Sequence, residues 1–150
     1  MKRRTNAQKK QDYFDVFKCI REGNKVKRSG TKDGSIATHP TVEVRDMPEK
    51  DVVKQCISWL RKFGIFCNRH DTGVLSNDRG QYRSYGIRNG GDIIGLTPSG
   101  KHFEIECKKG SGGRFSFGQQ KRQRDILRNN GIYLIIHGVA ELEHYEKLFK

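Results

Sequence analysis

The sequence predicts one mixed α/β domain behind a basic N-terminal extension, and three observations carry that prediction. Apolar residues recur at helical spacing in some segments and alternate or run together in others, in the order helix, strand, hairpin, strand, strand, helix, strand, helix. The length of 150 residues suits one ordinary hydrophobic core. Only 33% of the residues are hydrophobic against 31% charged, so that core is modest and part of the chain lies outside it.

The extension comes first. Residues 1–11 are basic and polar, and QDYFDVFKCIREG then places Tyr13, Phe14, Phe17 and Ile20 at the spacing of a short amphipathic helix that Gly23 can end. Residues 24–45 mix Gly, Ser, Thr and Lys without periodicity and read as a loop or linker. The boundary therefore falls between an extension, 1–45, and a folded domain, 46–150.

From Asp46 the pattern sharpens. Asp46 can cap a helix with Pro48 in its first turn, and Val53, Cys56, Leu60 and Phe63 form an apolar stripe ending at Gly64. IFCNRH reads as a strand and VLSNDRGQYRSY as a polar hairpin turning near Asn77 to Gly80. DIIGLT and HFEIECK are short strands joined at Pro98, Ser99 and Gly100. The Gly-rich KGSGGR leads into a helix from Phe117 to Asn130, IYLII makes a buried strand, and VAELEHYEKLF makes a closing helix.

Thirty Lys and Arg against seventeen Asp and Glu give a formal charge of +13 and a pI near 9.8, which suits a polyanion partner. Nucleic acid leads; acidic lipid head groups are the other polyanion such charge serves. Cys19, Cys56, Cys67 and Cys107 show no CxxC pair or cysteine-histidine zinc spacing and read as reduced, buried thiols. His39, His70, His102, His137 and His144 show no metal-binding spacing and read as structural, with His70 in NRHDTG near enough to a loop to touch DNA. No run approaches the ~18 apolar residues that span a bilayer, so an intracellular protein without membrane contact is expected.

Alternation in HFEIECK puts Phe103, Ile105 and Cys107 on one strand face and Glu104, Glu106 and Lys108 on the other. The tight turn at Pro98 to Gly100 brings Asp92 opposite Ile105 or Glu106. Clustered carboxylates raise one another's pKa and destabilise the fold unless a cation neutralises them. Mg²⁺ is commonly held by one or two carboxylates plus a substrate phosphate. Lys108 can then orient a water or offset phosphate charge. The same pattern also fits a hairpin with ordinary Glu-Lys pairs, each contributing ~0.2 to 1 kcal/mol.

GGDIIGL followed by EIECKK resembles the PD-(D/E)xK nuclease signature, with Gly91 where the family has proline. More narrowly, the stretch from GDIIGLTPSG to NNGIYLI, together with EKDVVKQCISWLRKFGIFCNRHDTG upstream, is similar to the virus-type replication-repair nuclease (VRR-NUC) domains. The resemblance implies a restriction-endonuclease-like core, a mixed central sheet flanked by helices. It implies Asp92 and Glu106 as ligands of Mg²⁺ or Mn²⁺, the Cys107 carbonyl as a further ligand, and Lys108 as the catalytic lysine. It also implies a glutamate on the first core helix, matched by Glu49, and a glutamine after the motif, matched by Gln119 or Gln120, with Gln120 as the candidate. Glu49 continues the apolar stripe and so faces inward, although its spacing from Asp46 equally suits a capping box.

Arg69 and the Arg79, Tyr82, Arg83 and Arg88 of RGQYRSYGIRNGG suit phosphate contacts and stacking on DNA, with Lys109, Arg114 and Lys121 as further basic contacts. The expected activity is metal-dependent hydrolysis of DNA, with branched substrates such as Holliday junctions implied by the resemblance. Two-fold symmetry of such junctions suits a homodimer, with the N-terminal helix as one interface. A non-catalytic basic nucleic-acid-binding protein is the alternative from another class. A sequence-specific restriction enzyme would need a base-reading surface that 150 residues hardly accommodate.

Overall fold

A computed structural model describes Arg21 and residues 33–150, so the helix expected around Tyr13, Phe14 and Phe17 lies outside the described residues. In chain order the elements are β1 (Ile36–Thr38), α1 (Glu49–Lys62), β2 (Phe66–Arg69), β3 (Gly73–Ser76), β4 (Tyr82–Tyr85), β5 (Ile93–Leu96), β6 (His102–Cys107), β7 (Gly113–Phe115), α2 (Phe117–Arg128), β8 (Ile132–Ile136) and α3 (Val139–Glu143), closed by a 3₁₀ turn at Glu146–Phe149. The fold is mixed α/β. Its central sheet has the order β2-β5-β6-β8, antiparallel except for the last pair. Parallel pairing of β6 with β8 needs a crossover, which α2 supplies.

One sheet face is apolar because β6 presents Phe103, Ile105 and Cys107 there, all fully buried. Val52, Val53, Cys56 and Leu60 of α1 pack on them with Ile93, Leu134, Ile136, Leu142 and Phe149. Phe149 meets Phe103 edge-on at 5.0 Å. Each such large side chain contributes ~1.5 to 3 kcal/mol by leaving water. On the opposite face α2 covers β8 through a smaller cluster of Ile126, Tyr133 and Phe115.

Three sequence expectations change. The segment expected to be a linker forms β1, which pairs with β7, and its continuation is bonded to the domain: Thr38 Oγ1 meets His137 Nε2 at 3.0 Å, and Thr41 donates to Glu141 Oε1 from both N and Oγ1 at 2.9 Å. Asp46 does not cap α1. The cap position is Pro48 without a side-chain hydrogen bond, and Asp46 instead accepts from Ser111 N at 3.1 Å. The closing helix stops at Glu143 and resumes only as the 3₁₀ turn. Among the described residues no helix is long and apolar enough to cross a membrane.

The β3–β4 hairpin forms where expected, with Asn77 and Gly80 closing its turn and Gly80 at φ +70°. It is a separate two-stranded sheet, inserted in the sequence between the paired strands β2 and β5, with most of its side chains in solvent.

Candidate active site

The strand pair β5–β6 builds the site. Their ladder ends with Ile93 opposite Ile105, so one step further Asp92 faces Glu106. Asp92 Oδ2 accepts from Cys107 N at 2.7 Å, which holds the carboxylate across the ladder. Lys108 continues the strand by donating its N–H to Ile136 O, and its Nζ reaches Glu106 Oε1 at 2.6 Å. Gly113 on β7 lies over the Lys108 stem so closely that a Cβ there would sit 2.9 Å from Cδ.

The polar face of β6 is buried as deeply as the apolar one. Glu104, Glu106 and Lys108 are 0%, 3% and 6% exposed, because α2 and β7 roof them. Burial and the facing Asp92 push the Glu106 carboxyl up to about 7, against the pull of Lys108, and Glu49 adds to the rise. Asp92 is also raised, first by burial and then by Glu49, although the Cys107 amide opposes this. Glu49, Asp92 and Glu106 thus act on one another's charge. Glu49 itself is exposed at the start of α1 and does not face the core, which corrects its expected inward position. Because Pro48 occupies the cap, the capping-box role for Glu49 also disappears.

Of the two neighbouring glutamines, Gln119 is the one that reaches Glu106. Ser116 and Gln119 form a capping box in which Gln119 Oε1 accepts from Ser116 N at 2.9 Å, and this leaves the amide NH₂ to donate to Glu106 Oε1. Gln120, the candidate from sequence, turns away to the carbonyls of Gly34 and Phe115 at 3.0 and 3.1 Å. The Ser-x-x-Gln spacing was the signal that separates the two.

Other site-building residues carried little signal. Glu104 is held by Arg122 Nε at 3.2 Å, a second Arg122 contact, Gly91 N at 2.9 Å and His102 Nε2 at 3.0 Å. His70 accepts from Ile87 N at 2.8 Å through Nε2, so its Nδ1 donates to Gly91 O at 2.9 Å and fastens the turn before Asp92. The Tyr133 hydroxyl is buried without a hydrogen-bond partner. Burial raises its pKa, and the Glu106, Glu104 and Asp92 charges add to that.

The expected DNA contacts scatter. Arg79 sits at the hairpin turn, Tyr82 and Arg83 on β4 and Arg88 beyond it, all exposed. Lys109 and Lys121 are exposed beside the site, and Arg69 is exposed but paired with Asp71 at 3.0 Å. Arg114 is exposed as well, and its Nε donates to Ser35 Oγ at 2.7 Å, which fastens the segment before β1.

Among the described residues no three Asp, Glu, His or Cys side chains close a ready-made metal cage. The donor set still fits a hard divalent ion, because Mg²⁺ keeps several waters and takes only one or two carboxylates. Asp92 and Glu106 supply those, with Glu49 near enough to add charge. The Cys107 thiol lies on the opposite face against Cys56, so only its main chain borders the site. No protein-family model, curated protein or solved structure matches the chain.

Proposed function

We propose that this protein is a Mg²⁺- or Mn²⁺-dependent nuclease that hydrolyses DNA phosphodiester bonds, built on a restriction-endonuclease-like core of the VRR-NUC type. The observation that carries the reading is the facing pair of half-buried Asp92 and buried Glu106, mutually repelling and backed by Glu49, with Lys108 and Gln119 on the Glu106 carboxylate. Such a cluster destabilises the folded chain until a cation arrives, an arrangement that clusters at functional sites.

A bound divalent ion would polarise a phosphoryl oxygen and lower the pKa of a water. The chain's own residues do the rest. Cys107 N holds Asp92 in place, and Gln119 holds Glu106 in one orientation while its cap fixes α2. Lys108 carries a positive charge 2.6 Å from Glu106, placed to orient a water or to offset phosphate charge. The net charge of +13 and exposed Arg79, Arg83, Arg88, Lys109 and Lys121 draw in the polyanion. Branched DNA as substrate and a homodimer as the working state belong to the same proposal.

The test is cleavage of linear, flap and four-way substrates with and without Mg²⁺ or Mn²⁺. Asp92→Ala, Glu106→Ala and Lys108→Ala each abolish cutting while DNA binding persists, and Gln119→Ala slows it where Gln120→Ala does not. Full activity in EDTA, or in all three alanine variants, refutes the reading. Metal-independent binding without cutting would instead identify a non-catalytic nucleic-acid-binding protein.

A further inference from the structure

The half of the site-bearing sheet face that α2 leaves open carries a groove. Ile94, Gly95 and Leu96 of β5 line it with Phe66 and Asn68 of β2, and Arg69, His70 and His102 stand around it, enclosing about 280 Å³. That is near the small end of ligand clefts, ~300 to 1,000 Å³, and suits one planar ring system. The register sets Asn68 opposite Ile94, and Phe66 opposite Leu96 opposite His102. Their side chains therefore share the face of Asp92 and Glu106. Asp92 and Ile94 are two residues apart on one strand, about 7 Å, so the groove begins one extended nucleotide from the carboxylates.

Its chemistry is specific. Phe66 is 65% exposed and Leu96 44%, which leaves an aromatic face and an aliphatic floor in water beside cationic and hydrogen-bonding groups. Arg69 stands at that rim with Asp71 as its partner, and the positive sign a phosphate requires comes from the chain as a whole, which carries +13. Stacking on an aromatic side chain contributes ~1 to 3 kcal/mol per base and tolerates any base. A base inside a duplex has both faces stacked and its edge paired, and extracting it costs a few kcal/mol.

We propose that this groove receives the base of an unpaired nucleotide next to the phosphate held at Asp92 and Glu106. The base stacks on Phe66 over Leu96, with the Asn68 amide at its polar edge. The preferred substrate is then DNA with an unpaired nucleotide at the cut, whether a single strand, a flap or a branch point, in preference to uninterrupted duplex. This inference rests on the nuclease reading.

The experiment uses the full chain carrying Asp92→Asn, which binds without cutting, and oligonucleotides with 2-aminopurine placed in turn at each nucleotide around a flap or in a single strand. Fluorescence falls on binding at one position; adding Phe66→Ala removes that quench and weakens binding about ten-fold, whereas Phe66→Tyr keeps both. An unchanged quench in Phe66→Ala, or no quench at any position, overturns the assignment. So does a Phe66-dependent dimer in sedimentation that occludes the groove. Cutting by the otherwise unaltered chain is measured separately. Absence of metal-dependent cutting on every substrate refutes the nuclease reading alone, while equal cutting of duplex and single strand refutes the groove alone.

Discussion

Glu104 and Glu106 stand two residues apart on one strand, on one face and equally buried, yet their carboxyls titrate in opposite directions. Burial pushes both up. At Glu104 the Arg122 guanidinium, the Gly91 amide and His102 outweigh burial and hold it below the usual range. At Glu106 the partners are fewer, Lys108 and Gln119, and Asp92 and Glu49 add charge of the same sign, so its pKa stands at about 7. Depth of burial therefore does not separate a structural carboxylate from a poised one. The balance of donors against like charges does, and it marks Glu104 as part of the scaffold and Glu106 as the poised carboxylate.

The largest effect is expected from removing the like charge. Asp92→Asn should cut the cleavage rate by at least ~10³-fold. It should also raise the melting temperature of the metal-free protein, because the amide still accepts from Cys107 N while the repulsion is gone. Calorimetry in EDTA reads this; a lower melting temperature would mean that Asp92 belongs with Glu104 as scaffold.

Next comes the pH dependence. Glu106 has a folded pKa above its ordinary 4.5, at about 7, so between those values the folded chain binds more protons than the unfolded chain. Stability must then fall as pH rises through that window, by about 3 kcal/mol for the full shift. Glu104, with its pKa lowered, contributes stability that is lost only as pH falls below the usual carboxylate range. Urea melts of the metal-free chain from about pH 5 to pH 8 should show the decline in the unaltered chain and not in Glu106→Gln. Parallel slopes would contradict the contrast.

Placing proline at Gly91, as in the motif the sequence resembles, should do harm. Gly91 N donates to Glu104 at 2.9 Å, and a Cβ at Gly91 would sit 2.9 Å from Ile105 O. Gly91→Pro removes that donor and crowds β6, at a cost of about 2 to 3 kcal/mol in denaturant melts. An unchanged midpoint would show that Arg122 alone secures Glu104.

The smallest change concerns the hydroxyl near both carboxylates. Tyr133→Phe removes a buried group with no partner, so the chain should gain up to about 1 kcal/mol or stay level. A loss above that would reveal a hydrogen bond to water or to Glu106 in solution.

By itself the sequence determined the periodic parts. Alternation in HFEIECK settled which side chains share a face, the α1 stripe located the apolar cover, and the turn residues Pro98 to Gly100 brought Asp92 opposite β6, because strand and helix periods and turn chemistry are local properties. Val53, Cys56 and Leu60 are buried as the stripe predicts, while its last member, Phe63, lies half-exposed at the C-cap of α1. Tertiary structure alone decided what depends on partners distant in sequence. It made β1 from a segment with no period of its own, because the Gly113–Phe115 backbone offered it an edge. It moved Asp46 from a cap to Ser111 and joined Arg114 to Ser35. Above all it gave Arg122 to Glu104 and Asp92 to Glu106. Two glutamates with the same local sequence pattern differ only in the charges that the fold brings to them, and charge acts through space across chain separations that no short-range pattern encodes.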